Sequence, residues 1–300
     1  MKVLVTGGSG NVGVFVVHRL KARHAVTVLD ARPPQPFPDV DFLKVDLTEG
    51  EAVRDSVRGF DAVVHLAAIP NPFSDPGERV LSVNTVATYN VLEAMRVHGI
   101  PRIVYLGSES ESGFGLHHVE FVPQYFPIDE KHPCWPHESY SLSKYFGEIM
   151  CREYSRAYGI ESITLRPACV WLDVIEEDVQ EAIHGDVGKT NPKNWFGAYV
   201  FPEDVAQAID RALDYQLPDG DVPFDNFYVT AEDSCMRQDS VAYVGRLFPE
   251  STPAIRDPAY YEKNPEASLF DITKAREKLG YRPEYTWRDW GTDRRVRPGS

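Results

Sequence analysis

Tyr140 and Lys144, in the stretch Ser139-Tyr-Ser-Leu-Ser-Lys144, are four residues apart and share one face of any helix that carries them. The spacing has a chemical use. A phenol of pKa ~10 is ionised about one part in a thousand at pH 7, and lowering it by ~2–3 units takes ~3–4 kcal/mol of preferential phenolate stabilisation. An ammonium one turn away, joined by a cationic cofactor ring, would supply that and make Tyr140 a general acid/base. Ahead of the pair lies Ser108-Glu-Ser-Glu-Ser-Gly-Phe-Gly115, directly after the apolar strand run Arg102 to Gly107. That is where a parallel sheet presents reactive polar groups.

Such groups need a reactant brought to them, and the start of the chain provides a cradle. Lys2 to Thr6 has the composition of a buried strand and breaks into Gly7, Gly8, Gly10 and Gly13 before an apolar helical pattern begins. Gly8 to Gly13 satisfies G-x-G-x-x-G, and Thr6 to Gly13 also satisfies T-G-x-x-G-x-x-G. Glycines there let the backbone approach a pyrophosphate held at the helix N-terminus. Ala25 to Asp30 reads as a second strand ending in an acid, placed to accept hydrogen bonds from an adenosine ribose. A 2′-phosphate would be repelled there by ~4 kcal/mol for unit charges 4 Å apart at an effective dielectric near 20, partly offset by Arg32. NAD is therefore expected over NADP.

Further strands are expected at Phe42 to Asp46, Asp61 to Ala68 and Glu161 to Arg166, and long helices at Glu78 to His98 and Ser139 to Tyr158. Up to the fifth strand the order is β-α-β-β-α-β-α-β, the alternation of a parallel, doubly wound α/β sheet with ligands at the strand C-terminal ends. Asp46 is expected near the adenine, and the small residues ending the fourth strand leave room for a cofactor. His65, inside that apolar strand, reads as a satisfied core histidine. Downstream, helices are expected near 174–183, 202–213, 240–247 and 273–279, with a strand at 224–229.

Together these motifs resemble the extended short-chain dehydrogenase/reductase family, the NAD-dependent epimerase/dehydratase group. The match runs through Thr6 to Gly13, Asp30, Asp46-Leu47, His65 to Ala68, Asn84, Asn90 to Ala94, the serine run, Tyr140 to Lys144 and Leu165-Arg-Pro167, with weaker matches at Glu203 to Ala208 and Asp271 to Tyr281. The resemblance implies a Rossmann domain over 1–170, with 201–230 returning to it. Residues 171–200 and 231–300 would form the small substrate-binding region and tail. It also implies that Gly7, Gly10, Asn11, Val12, Gly13, Asp30, Asp46, Leu47, Leu66, Ala67, Ala68 and Asn84 bind NAD, together with Tyr140 and Lys144. Tyr140 would be the acid/base, with Lys144 lowering its pKa and holding the nicotinamide ribose. Ser110, four residues before the Phe114-Gly115 pair, would be the active serine, with Ser108 as runner-up. Ser108, Ser110, Glu111, Tyr140 and Arg166 would meet the substrate. A homodimer through the two long helices is implied as well.

Departures from the family narrow the chemistry. Ser110-Glu111-Ser112 stands where dehydratases of this group carry Thr-Asp-Glu, so the second acid that helps expel water is missing. From Ala157 to Asp210 the only lysines and arginines are Arg166, Lys189 and Lys193, against the acids Glu176, Glu177, Asp178 and Glu181. A dianionic nucleotide sugar is thereby disfavoured. The leading expectation is an NAD-dependent dehydrogenase acting at a secondary alcohol of a sugar, sugar acid or polyol. An epimerase that keeps the hydride in the site is the alternative, and a non-catalytic NAD(H) sensor the second alternative.

The segment 116–137 is aromatic, proline-rich and histidine-rich, and is expected to form a wall or lid of the substrate pocket. His117, His118, His132 and His137 lack the i, i+4 helical spacing of a hydrolytic zinc site, so no metal is expected. Trp195 and Phe196 could stack on a substrate ring, with core packing as the plainer use. Net charge of -14 argues against nucleic acid and anionic membranes as partners. Cys134, Cys151, Cys169 and Cys235 are widely spaced, as reduced structural thiols would be, and Met1 leads straight into a strand. A cytoplasmic protein is the expectation.

Overall fold

The computed structural model describes residues 1–33, 37–114, 121–186 and 196–292. Gly115, His117, His118, Lys189, Lys193 and Trp195 lie outside the described residues. β1 (Lys2–Thr6), α1 (Gly13–Leu20), β2 (Ala25–Asp30), β3 (Asp41–Lys44), α2 (Gly50–Ser56), β4 (Ala62–His65), α3 (Gly77–His98) and β5 (Arg102–Leu106) alternate as expected. β6 (Tyr125–Phe126), α4 (Ser139–Tyr158), β7 (Glu161–Pro167), β8 (Cys169–Val170), α5 (Glu176–His184) and β9 (Tyr199–Val200) follow. The chain continues through α6 (Pro202–Asp214), β10 (Phe224–Val229), α7 (Ser240–Leu247), β11 (Ala254–Ile255) and α8 (Pro258–Lys263). Seven strands form one parallel sheet in the order β10-β7-β5-β4-β1-β2-β3.

Successive side chains of a strand point to opposite faces, and here both faces are covered. Val3 and Val5 pack with Val16, Val17 and Leu20 of α1, whereas Leu4 packs with Val91, Leu92 and Met95 of α3. That is why β1 reads as an unbroken apolar run. A third cluster joins Trp171, Tyr199, Phe201 and Trp290 beyond the C-terminal edge of the sheet.

Some boundaries differ from expectation. β3 stops at Lys44 and β4 at His65, which leaves Asp46 and Leu66 to Ala68 in loops. The helix expected at 273–279 is a short π-type turn over Ala275–Leu279. His65 is a satisfied core histidine. Its Nδ1 lies 2.6 Å from Thr6 Oγ1 and its Nε2 3.1 Å from Thr88 Oγ1. Thr88 already donates to the Asn84 carbonyl, so it accepts from Nε2–H and Thr6 donates to Nδ1. Burial pushes the ring down to about 3, and it stays neutral.

Candidate functional site

β5 ends at Leu106, and the chain turns at once into a short helical turn over Glu109–Ser112. Ser108 caps that turn. Its Oγ accepts from Ser110 N–H at 3.2 Å while Glu111 Oε1 accepts from Ser108 N–H at 2.8 Å, a reciprocal capping box. α4 is capped by an acid: the Glu138 carboxylate accepts from the backbone N–H groups of Tyr140 at 2.6 Å and Ser141 at 2.5 Å. A negative charge suits a helix N-terminus, and it fixes the turn that carries Tyr140.

These two caps bring Tyr140 against the serine turn. Of the two serine hydroxyls it is that of Ser108 that acts on the phenol, favouring its ionised form. Ser110 Oγ donates to Ser108 Oγ at 2.9 Å, which leaves the Ser108 proton free for another acceptor such as Tyr140. Ser110, expected from the resemblance to be the active serine, is thus one hydrogen bond behind the runner-up. Lys144 Nζ donates to the Leu106 carbonyl at 2.8 Å and lies 5.8 Å from the Tyr140 ring centre.

Burial holds the Tyr140 phenol well above its usual range; Ser108 opposes this, while Glu111, Glu138 and Glu109 add to it. The main lowering influence on the phenol in this structure is therefore Ser108, where Lys144 was expected. Burial pulls Lys144 down to about 8 against the pull of Glu111, so its ammonium dominates at pH 7. Glu109 is pushed up to about 8 by burial, offset in part by a hydrogen bond from Cys169 N–H.

Arg166 and Glu111, expected to meet a substrate, are turned inward. Arg166 is 2% exposed and Glu111 fully buried. Arg166 donates to both oxygens of Glu148, at 2.9 and 2.5 Å, and its Nε lies 3.4 Å from Glu111 Oε2. Asn226 Nδ2 adds a bond to Glu148 at 3.1 Å. Two carboxyl groups on one guanidinium cannot both be well compensated, and burial with the Glu148 charge pushes Glu111 up. The network ties the serine turn to α4, β7 and β10, which is a holding task.

The glycine turn lies at the neighbouring strand end. Gly7 has φ +74°, and a Cβ on it would come within 2.6 Å of Ala67 N; one on Gly13 would come within 2.3 Å of the Gly7 carbonyl. Neither position admits a side chain. Among the described residues the backbone N–H groups of Asn11 and Val12 donate to no backbone acceptor, and they stand at the N-terminus of α1. Asp30 accepts from Ser9 N–H at 3.1 Å and Arg32 N–H at 3.2 Å, which keeps its carboxylate beside the turn. Free donors, a close-approach turn and a neighbouring acid fit a dinucleotide.

The remaining expected contacts are more indirect. Asp46 Oδ1 accepts from Thr48 N–H and its hydroxyl, and those bonds hold its carboxyl below the usual range. Leu47 is buried, and its carbonyl accepts from Asn90 at 2.8 Å. Leu66 N–H continues the β1 pairing through the Thr6 carbonyl, with Ala67 and Ala68 half-buried beyond it. The Asn84 amide exchanges bonds with Ile69 N–H and its carbonyl and donates to Ser143 Oγ, pinning the loop after β4 to α4. Ser9, Glu109 and Glu138 are site residues that the motifs did not mark.

In the described part of 116–137, His132 is enclosed by Phe114, Tyr125 and Trp135, accepting from Gln124 N–H at 3.0 Å. Phe196 stacks on Phe114 in the core. Among the described residues no cluster of three or more His, Cys, Asp or Glu could hold a metal ion, and no helix is long and apolar enough to cross a membrane.

Residues 3–172 match the pattern of the NAD dependent epimerase/dehydratase family. L-arabinose 1-dehydrogenase (NAD(P)(+)) of Haloferax volcanii is 30% identical over 228 residues, 73% of this chain and 84% of that protein. Uronate dehydrogenase of Pseudomonas putida is 32% identical over 186 residues, 57% of this chain and 66% of its own. The solved structure of Thermus thermophilus UDP-glucose 4-epimerase in complex with NAD is similar at TM-score 0.66 and 25% identity, over 95% of each chain.

Proposed function

Since the chain belongs to the NAD dependent epimerase/dehydratase family, we propose that it oxidises a secondary alcohol of a sugar, sugar acid or related polyol by hydride transfer to NAD. The observation that carries this reading is the meeting of Tyr140, Lys144 and the Ser108 turn, at the strand end next to the glycine turn. NAD, when bound, accepts the carbon-bound hydrogen as hydride. The Tyr140 oxygen takes the hydroxyl proton, and Ser108 donates to the phenolate or to the reacting oxygen. Lys144, as an ammonium at 5.8 Å from the Tyr140 ring centre, would compensate a phenolate once formed and would hold the cofactor ribose. The named activities of the relatives, arabinose and uronate dehydrogenases among them, are consistent with this.

The reading extends to three finer points. Asp30, fixed beside the turn, supports NAD over NADP. The packed helices α3 and α4 expose Val86, Tyr89, Val97, Phe146 and Tyr158, an apolar face suited to a second copy of the chain and hence a homodimer. Residues 1–170 with 201–230 act as the NAD-binding unit in a cytoplasmic enzyme, and β10 supports this by completing the sheet.

The test is to incubate the protein with NAD and a panel of sugars, sugar acids and polyols, following NADH absorbance and product stereochemistry together. Accumulating NADH is expected. An inverted substrate without net NADH would favour the epimerase reading, which the similarity to a UDP-glucose 4-epimerase keeps in view. A Tyr140→Phe variant should lose about 10²–10⁴-fold in kcat while still binding NAD; full activity in that variant would remove the acid/base assignment.

A further inference from the structure

The acid at the end of β2 is fixed by a closed ring of hydrogen bonds. Both oxygens of the Asp30 carboxylate accept backbone N–H groups, Oδ2 from Ser9 at 3.1 Å and Oδ1 from Arg32 at 3.2 Å. A third bond completes the ring, since Ser9 Oγ donates to the Arg32 carbonyl at 2.5 Å. Ser9 is thus joined to the acid through its main chain and to the residue two positions beyond the acid through its side chain. These bonds tie the glycine turn to the chain leaving β2, across separations of 21 and 23 residues. The turn is itself anchored on β2, where Gly7 N–H donates to the Leu29 carbonyl at 3.0 Å.

The ring is open to a ligand. Ser9 and Asp30 are half-buried and Arg32 is exposed. Each carboxylate oxygen has accepted one N–H and keeps a second lone pair, so the pair can accept from two neighbouring hydroxyls. A ribose offers such a diol, and the strand end after a glycine turn is where an adenosine ribose lies. A 2′-phosphate on that ribose would meet the carboxylate charge and draw on the Arg32 guanidinium instead.

Resting on the reading that the glycine turn holds NAD, we propose that Ser9 is a positioning residue for cofactor choice: its hydroxyl, by holding the Arg32 main chain, keeps the Asp30 carboxylate set on the ribose diol and so favours NAD over NADP. Ser9 acts through Asp30 and Arg32 and needs no contact with the reacting atoms. Without the hydroxyl, the Arg32 carbonyl is released to water, and the Arg32 N–H that steadies the carboxylate moves with it. The carboxylate then grips the diol less well and can turn from a phosphate, while the guanidinium can approach one.

The experiment is equilibrium binding to the protein alone, so no sugar substrate enters it. NADH and NADPH are titrated by nicotinamide fluorescence, and ADP and 2′-deoxy-ADP, which differ only in the 2′-hydroxyl, by calorimetry. The wild type should bind NADH over NADPH, and ADP over 2′-deoxy-ADP, by about tenfold or more. Ser9→Ala should narrow both ratios by about 2- to 10-fold, and Ser9→Thr, which keeps the hydroxyl, should stay within about twofold of the wild type. A residue that merely shaped the turn would weaken all four ligands alike and leave the ratios unmoved. Should Ser9→Ala fail to fold, Ser9→Cys, with its weak donor, is read in the same way. Either ratio unmoved in the folded variant overturns the proposal and leaves the NAD reading standing. Wild-type protein that binds NADPH as tightly as NADH overturns both the proposal and the preference for NAD, and wild-type protein that binds none of the four overturns the dinucleotide reading itself.

Discussion

The two serines of the turn can be separated by substitution. Ser108→Ala removes the hydroxyl that favours the ionised Tyr140 phenol, and Ser110→Ala removes only the one that donates to Ser108. A hydrogen bond to a charged group contributes ~1.5–3 kcal/mol and a neutral one ~0.5–1.5 kcal/mol. As Ser108 meets a phenolate and Ser110 a hydroxyl, kcat/KM should fall about 10- to 150-fold in Ser108→Ala and about 2- to 10-fold in Ser110→Ala. The same energies predict a signature that structural damage would not give. The phenol's apparent pKa in the pH–rate profile should rise by ~1–2 units in Ser108→Ala, since one unit is 1.36 kcal/mol, and stay near the wild-type value in Ser110→Ala. NAD affinity should be unchanged in both, because neither serine touches the glycine turn. Losing the cap of the turn costs about 1 kcal/mol of stability, which thermal unfolding would register separately. A larger loss in Ser110→Ala, with an unmoved profile in Ser108→Ala, would return the active role to Ser110 and refute the relay.

Three other perturbations address the framework. Arg166→Met leaves Glu148 and Glu111 without their cation, so stability should fall by about 3–5 kcal/mol and Tm by roughly 6–20 °C; a raised substrate KM with unchanged Tm would instead show that Arg166 binds substrate. Asp204, buried and accepting from Glu284 and Tyr285 N–H, has its carboxyl pushed up to about 7 by burial. Its native pKa lies above the unfolded value, so its stability contribution is full below about pH 4 and is lost as pH rises to about 7, at up to ~1.4 kcal/mol per pH unit. Denaturant unfolding across that window should show the slope flattened in Asp204→Asn, and an unchanged slope would mean that Asp204 is ionised in the native state. Asp30→Ala should shift the NADP-to-NAD ratio of kcat/KM upward by about 10- to 100-fold in paired assays, less than the ~10³-fold of an unopposed ~4 kcal/mol repulsion because Arg32 partly offsets it; a constant ratio would place discrimination elsewhere.

The cofactor side of this site is local in sequence, and so it can be read there. Thr6 to Gly13 is a strand, turn and helix start within a few residues, and Asp30 ends the next strand, so composition and periodicity alone locate them. Tyr140 and Lys144 are one helical turn apart and are equally visible. The substrate side depends on contacts that no spacing encodes. Ser108 meets Tyr140 across 32 positions, and Arg166 meets Glu148 and Glu111 across 18 and 55. The resemblance picks Ser110 from the serine run, whereas the hydroxyl acting on the phenol is Ser108's, a difference that depends on how the Glu111 cap sets the turn. Arg166 looks available in the sequence because an arginine at a strand end normally is; only the fold shows two buried acids waiting for it.

The two sides are also held by different forces, with consequences for how each responds to change. Around Gly7 and Gly13 the constraint is steric, with backbone against backbone, and it is indifferent to pH and salt. Around Ser108 it is electrostatic, with Arg166 and Lys144 set against Glu111 and Glu148 in a region shielded from water, where screening by salt is weak. A substitution on the first side must move the main chain to be accommodated. One on the second can leave every atom nearly in place and still alter the proton held by Tyr140, because the charges that orient the serine turn are the ones the phenol feels. Chemistry and framework share their groups on the substrate side, which is why the residue types there look like a catalytic set even where, as at Arg166, they support one.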